Sequence, residues 1–325
     1  MSARSINFAL AVGIAAVSLV SVLVGRTSGG PAFGLGSPDI AATVFYELRL
    51  PRTLLGLLVG GSLGVCGAAL QGLLRNPLAE PGILGTSSSA ALGAVIVFYF
   101  GLASQQSLLL PGGAILGSIA ALGCIYGLAG RRAGLVTIVL TGIAINAFAA
   151  ALTSLALNFA PSPYAALEIL FWMLGSLADR ELTQVAIAGI VMVPGWILIA
   201  RSATGLDALT LGEETSQSLG LNPKRTRALV LAGTALSVGA GVAAAGVVGF
   251  VGLVVPHIMR GFIGYLPSRL LLPAFLGGAL LTVLADIVIR LLPAGPELKL
   301  GVVTALIGAP FFLRLIAAAR RGALQ

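Results

Sequence analysis

The sequence predicts an all-α fold: a polytopic membrane protein of ten transmembrane helices, forming one transmembrane domain over residues 1–325. Three observations predict it. The chain is 58% hydrophobic and only 9% charged, whereas a soluble chain carries about 25% charged residues. Its apolar runs recur at lengths near the ~20 residues with which a helix crosses a ~30 Å hydrocarbon core. Between the runs, arginines stand singly beside glycines and prolines, as in loops at a membrane surface.

Span 1 is Ile6–Val24, preceded by Arg4. Its apolar core is too long for a signal peptide, and no small-residue cleavage site follows it. Arg26–Ser37, rich in Gly and Pro, reads as a loop. The stretch Arg49–Gly85 organises the rest. No charge lies between Arg52 and Arg75, and Gly56, Gly60, Gly64, Ala68 and Gly72 share one helical face. Gly61 and Gly67 lie off that face. Small residues four apart admit a neighbouring backbone, so this span 2 is expected to be central and enclosed by protein. Asn76-Pro77 and Glu80-Pro81-Gly82 stop the helix, because proline lacks a donor and restricts the residue before it.

Span 3 is Ile83–Gly101, and its polar start, Thr86 to Ser89, is a candidate cavity lining. Span 4, Leu108–Gly130, ends at Arg131 and Arg132. Span 5, Val136–Asn158, carries Thr141, Asn146, Thr153 and Ser154. A lone hydroxyl in a span usually bonds its own backbone; several beside an amide also fit a pathway-lining helix. Pro161–Glu181 is too polar to span, and Tyr164 and Trp172 place it at the water interface. Span 6 is Leu182–Ala200, followed by the longest polar segment, Arg201–Arg227. Spans 7 to 10 are Ala228–Ala244, the short Gly246–His257, Leu270–Leu292 and Leu300–Ala319.

With both termini inside, 13 of the 19 basic residues fall on the inner side and 6 on the outer. This bias supports cytoplasmic termini. Arg49, Arg52 and Arg290 run against it at outer helix ends. Span 2 enters from outside and span 7 from inside, which allows spans 2–5 and 7–10 to be inverted halves. The net charge of +8 comes from scattered residues, so loop bias explains it and a nucleic-acid partner is not expected. Cys66 and Cys124 sit inside spans and read as free packing residues.

No catalytic set is visible. His257 stands alone after Pro256 and reads as a helix-end residue. Neither Lys224 nor Lys299 belongs to a phosphate-binding loop, so the chain carries no nucleotide site of its own. Asp286 and Arg290 are one turn apart and can pair. A proton-coupled carrier could use such an acid, and that is a second reading of function. The segment Leu209–Leu221 holds a short helix bracketed by Gly212 and Gly220, with leucines and two acids exposed for a soluble partner.

These stretches together carry a resemblance. RLPR followed by LQGLLRNPLAEPGILG, then LGEETSQSLGL, GVVGFVGLVVPHIMR, ADIVIR and ELKLGVVTALIGAPFF stand in order from about Arg49 to Leu315. The chain resembles the permease subunits of type II ABC importers, which take up iron chelates, haem and cobalamin. The resemblance implies a permease homodimer in a bacterial inner membrane, two ATPase subunits that bind ATP-Mg, and a periplasmic substrate-binding protein. It implies no cofactor and no metal site in this chain. Arg49, Arg52 and Arg290 match the arginines that meet acids on the binding protein. Residues 204–225 match the cytoplasmic coupling loop, with Leu211, Gly212, Glu213, Glu214, Ser216, Leu219 and Gly220 at the ATPase contact. Ser216 stands where the family often has alanine, in a tight groove. Asn76, Leu135 and Val136 match the inner gate, and span 5 the pathway-lining helix. Haem or a ferric siderophore is the expected cargo, from FWMLGSLAD at Phe171–Asp179; cobalamin is the alternative.

Overall fold

The computed structural model describes residues 3–27, 30–34, 38–100, 108–130, 134–292 and 297–322, with side chains described as far as Arg314. Arg131 and Arg132, expected at the end of span 4, lie outside the described residues. The described chain is almost entirely helical. Helix α1 is Ala3–Leu23. A two-stranded hairpin follows, β1 at Val24–Thr27 and β2 at Gly30–Phe33. This corrects the expected loop at Arg26–Ser37: the Gly and Pro there shape a pairing too short to leave an alternation signal. Helix α2, Pro38–Thr43, runs through a π turn, Val44–Arg49, into α3, Leu50–Leu73.

A turn after α3 leads to a 3₁₀ segment, Pro81–Leu84, and then α4, Thr86–Tyr99. Helices α5, Leu109–Ala129, and α6, Leu135–Asn158, follow. The polar segment beyond them holds α7, Pro163–Met173. Then come α8, Leu182–Arg201; α9, Ala203–Thr210; and α10, Glu213–Ser218. The last four are α11, Pro223–Ala245; α12, Val251–Ile263; α13, Pro267–Leu291; and α14, Leu300–Gly322.

Among the described residues, seven helices are long and apolar enough to cross a membrane; Thr86–Tyr99, Val251–Ile263 and Leu300–Arg314 are apolar but shorter. The three shorter ones occupy the places of expected spans 3, 8 and 10. Expected span 8 began at Gly246, but the helix starts at Val251. Gly246 and Phe250 both take left-handed backbone conformations, φ 73° and 65°, which break the apolar run.

Helix α3 is central, as its glycine face predicts, and every residue from Val59 to Leu73 is buried. The face of Gly56, Gly60 and Gly64 lies against α13. A methyl added at Gly60 would meet the Gly278 carbonyl, and one at Gly64 the Ala274 carbonyl. Off that face, Gly61 receives the Phe275 ring and Gly67 abuts the backbone of Gly252. The helix pairings exchange between halves. Helix α3 packs on α12 and α13, as α11 packs on α4 and α5. Helix α4 packs on α5 and α6, as α12 packs on α13 and α14. This is the contact pattern of two repeated four-helix units, α3–α6 and α11–α14.

Overpacking costs about 1–3 kcal/mol where side chains can shift, and here the obstacle is backbone. Gly64→Ala should therefore lower the melting temperature of the detergent-purified protein, and Gly64→Leu should abolish folded yield. Gly112→Ala, whose added methyl meets open space, should leave the melting temperature unchanged or slightly raised, read by fluorescence-detected size exclusion after heating.

Candidate functional site: the arginine end, a cavity between the halves, and helices α9 and α10

Three regions gather most of the site residues that the sequence predicts. The first is the end of the bundle where α1 stops and α3 begins. The carboxylate of Asp286, 2% exposed, accepts from Arg52 Nε at 2.9 and 3.0 Å and from Arg290 Nε at 2.9 Å. Arg52 also pairs with Glu297. Arg290 Nη1 donates to the carbonyls of Ser21 and Val24, each at 2.7 Å, and its Nη2 to Ser21 Oγ at 2.6 Å. Arg49 Nη1 donates to the carbonyls of Val22 and Leu23 at 2.7 and 2.8 Å. The last carbonyls of a helix have no intrahelical donor, and in a membrane no water replaces one. Arg49 and Arg290 supply those donors for α1, and Arg26 does the same for Ile289 at the end of α13, at 3.1 Å.

Arg49 and Arg290, matched by resemblance to arginines that meet a binding protein, are instead enclosed by these partners, and Arg52 is held by Asp286 and Glu297. Arg49 and Arg290 are buried, at 7% and 1% exposure. Their partners are backbone carbonyls far away in sequence, which no side-chain pattern reveals. Asp286 is committed to two guanidiniums, which speaks against its use as a mobile proton carrier.

The second region is a cavity of about 560 Å³ between the halves. Its polar lining is Glu80, Ser87, Ser88, Asn146, Thr153 and Ser154, and Leu63 and Phe250 are among its apolar walls. At 1.5 Å per residue, α4 and α12 are only about 20 Å long, and both begin at this cavity. Ser87 and Ser88 form the first turn of α4, and Phe250 precedes the first turn of α12. Gly252 lies against the middle of α3, at Leu63 and Gly67, which sets the depth of the cavity within the bundle. Asn146 and Ser154 are exposed. Thr153 is buried and donates to its own Ala149 carbonyl at 2.9 Å. Thr141, expected beside them, is absent from the lining. Sequence reasoning missed Glu80, whose signal was an acid placed between Pro77 and Pro81 where the chain reverses. Burial pushes the Glu80 carboxyl above its ordinary value, opposed by a hydrogen bond from the Phe250 N–H.

The third region is α9 and α10, at the opposite end of the bundle. Gly212 and Gly220, at φ 112° and 76°, bracket α10 as expected. Leu211 and Leu219 are 65% and 61% exposed, and Glu214 is exposed. Glu213 pairs with Arg227 on α11. Asp207 Oδ1 on α9 accepts from the Ser268 N–H of α13 at 2.8 Å. Ser216 is 1% exposed, so it faces the permease itself. This corrects its expected place in a partner's groove. Of the expected gate residues, Asn76 folds its side chain onto the Leu78 N–H at 2.9 Å, Leu135 packs on the core, and Val136 is 73% exposed.

Two outcomes follow from this chemistry. Removing one partner of a buried ion pair costs roughly 3–5 kcal/mol. Asp286→Ala should therefore unfold the protein at much lower temperature, while Glu297→Gln, on the half-exposed side, should cost about 0–1 kcal/mol. For Glu80, the folded state holds the proton at higher pH than the unfolded chain does. Its contribution is thus fully present below pH ~4.5 and declines as pH rises towards the raised folded value. Glu80→Gln should flatten that decline in thermal melts taken from pH 4 upward.

Comparison with known proteins agrees with this architecture. Residues 6–318 match the FecCD transport family. The hemin transport system permease protein HmuU of Yersinia pestis is 41% identical over 278 residues, covering 84% of this chain and 83% of that one. The vitamin B12 import system permease protein BtuC of Salmonella typhimurium (strain LT2) is 38% identical over 272 residues, covering 83% and 82%. A solved metal-chelate type ABC transporter in an inward-facing conformation has a TM-score of 0.84 at 29% identity, over 97% of this chain and 99% of that one. A multi-pass bundle with a polar cavity between repeated halves is the expected frame for such transport. The chain therefore belongs to the FecCD transport family, as the permease subunit of an ABC importer that works with a partner ATPase.

Proposed function

We propose that this permease carries a metal chelate, haem first, from the periplasm to the cytoplasm across a bacterial inner membrane. The observation that carries the reading is the cavity at the heads of α4 and α12. Its volume, about 560 Å³, lies within the ~300–1,000 Å³ of sites for compact organic ligands. The hemin and vitamin B12 permeases resemble this chain at 41% and 38% identity, which supports a metal macrocycle. Haem stands ahead of cobalamin by that small margin.

The transporter acts as a homodimer. Helix α6 leaves Asn146 and Ser154 exposed within an apolar span, together with Ile143, Phe148 and Leu155. A polar side chain facing lipid is costly; a second copy across a water-filled path gives both groups a partner. The chain itself needs no cofactor, and ATP-Mg belongs to the ATPase. Both termini are cytoplasmic, on the arginine bias. A periplasmic binding protein docks at the Arg52 end. Its carboxylates compete with Glu297 for Arg52, because Arg49 and Arg290 are enclosed. Asn76, Leu135 and Val136 form the inner gate.

Coupling runs through α10. Leu211 and Leu219 present an apolar ridge to the ATPase, with Gly212 and Gly220 fixing its ends. Movement of that ridge reaches α11 through Glu213 and Arg227, and α13 through Asp207 and Ser268.

The reading is tested by reconstituting the permease with its ATPase in liposomes. Haem uptake should require ATP and persist without a proton gradient. Uptake driven by a proton gradient alone would overturn it, and cobalamin uptake without haem uptake would reassign the cargo. Burying an exposed leucine contributes ~1.5–3 kcal/mol. Leu211→Asp with Leu219→Asp should therefore weaken ATPase binding by on the order of 100-fold, with the permease still folded. Undiminished uptake in this double variant would remove α10 from the coupling path.

A further inference from the structure

A cavity of about 710 Å³ belongs to none of the regions above. It opens between α5, α7, α8 and α11. Its floor is apolar, built from Ile115, Ile187, Ala188, Ala240, Ala243 and Ala244. Its rim is polar: Glu168, Trp172, Asp179, Arg180, Glu181 and Gln184. Asp179 also lines the cavity that holds Arg52 and Glu297, so this rim lies at the same end of the bundle. A tryptophan at that level marks the boundary between hydrocarbon and headgroups.

Three side chains of the rim keep a buried polar atom without a partner: Trp172 Nε1, Arg180 Nε and Gln184 Oε1. Arg180 makes no hydrogen bond and no ion pair among the described residues. Burial lowers its pKa, and the nearby charge of Asp179 opposes this. A buried polar atom left unpaired costs about 1–3 kcal/mol, and three converge on one opening. Water alone could serve the rim but gains nothing from the alanine floor. A purely anionic ligand would find one guanidinium among three carboxylates. A ligand with a phosphate beside an amine, followed by a long apolar tail, matches every part.

We propose that this cavity is a binding site for one aminophospholipid of the surrounding membrane. The phosphate sits on Arg180 and the Trp172 N–H. The ammonium sits among Glu168, Asp179 and Glu181. An acyl chain lies along the small residues of α11 between α5 and α8. The lipid then fills a gap that protein side chains leave open, at the flank of a helix that packs on both α8 and α5.

The test is lipid titration of the delipidated permease in detergent, read by native mass spectrometry and thermal shift. The probes are phosphatidylethanolamine and phosphatidylglycerol with identical chains. The expected result is one tightly held phosphatidylethanolamine per chain, a raised melting temperature, and at least roughly tenfold weaker phosphatidylglycerol. Arg180→Gln should lose that preference and about tenfold in affinity. Thr183→Trp, at an exposed rim position, blocks the mouth without touching the core and should also remove the bound lipid. Equal affinity for the two lipids would overturn the assignment. So would unchanged binding in Thr183→Trp, or binding to monomer but not dimer, which would mean that a second copy covers the cavity.

Discussion

The structure depends on the approach of α3 to α13 at backbone distance. In lipid, apolar side chains gain nothing by leaving one apolar surrounding for another, so helices associate through van der Waals contact and hydrogen bonds. That contact is densest where no side chain intervenes. Gly60 and Gly64 on α3 meet Gly278 and Ala274 on α13, each close enough that a methyl group would strike a carbonyl. Gly67 admits Gly252 on the next face. One helix thereby fixes two others, and the start of α12 is held against the middle of α3. The depth of the cavity between the halves is a consequence of these glycines rather than of the residues that line it.

Charge placement follows a second constraint, the need to satisfy helix-end carbonyls where water is scarce. At the end of α1 that task falls to Arg49 and Arg290, and Asp286 balances Arg290 and Arg52. Thr53 extends the network, donating to the Arg49 carbonyl at 2.8 Å and meeting Ser21 Oγ at 2.7 Å. Buried charges of this kind are weak contributors to net stability but costly to leave half-paired. They also define one conformation of α1, whose long apolar surface would otherwise slide against its neighbours. Only the Arg52–Glu297 pair, at 13% and 27% exposure, stays within reach of a partner.

Much of this was legible in the sequence, in proportion to how local the cause was. Apolar length located the spans, the four-residue glycine spacing identified the central helix, and Gly212 and Gly220 bracketed α10. What failed was non-local. The direction of the arginines depended on carbonyls about 30 or 270 residues away along the chain, to which a sequence gives no address. Ser216 was assigned by resemblance to an outer surface, but its burial comes from the packing of α9 and α10 under the bundle. Thr141 shares a helix with Asn146, yet only the latter reaches the cavity; on a span this apolar, the polar residues were too sparse to define a face. The start of α12 escaped because Val247, Val248 and Val251 continue an apolar pattern through a backbone that has turned left-handed at Phe250.

The repeated halves explain why the cavity is polar on one side and apolar on the other. The α3–α6 half brings a chain reversal, Glu80, and the serines at the head of α4. The α11–α14 half brings Val247, Val248 and Phe250 at the matching place before α12. Phe250 is pressed against Gly308 of α14, where an added methyl would collide with its ring. A bulky non-glycine residue at φ 65° is strained, and it persists because Gly308 makes room and the Glu80 carboxylate accepts its N–H. The same hydrogen bond joins the two halves across the cavity. Beside it, Gln71 on α3 donates to the Gly252 and Leu253 carbonyls of α12, each at 3.3 Å, so a scaffold symmetric in its helix contacts is tied by polar links that are not symmetric. Separating the head of α12 from the chain reversal before α4 would break both the Glu80–Phe250 contact and the packing of Gly252 against Pro81 and Leu63.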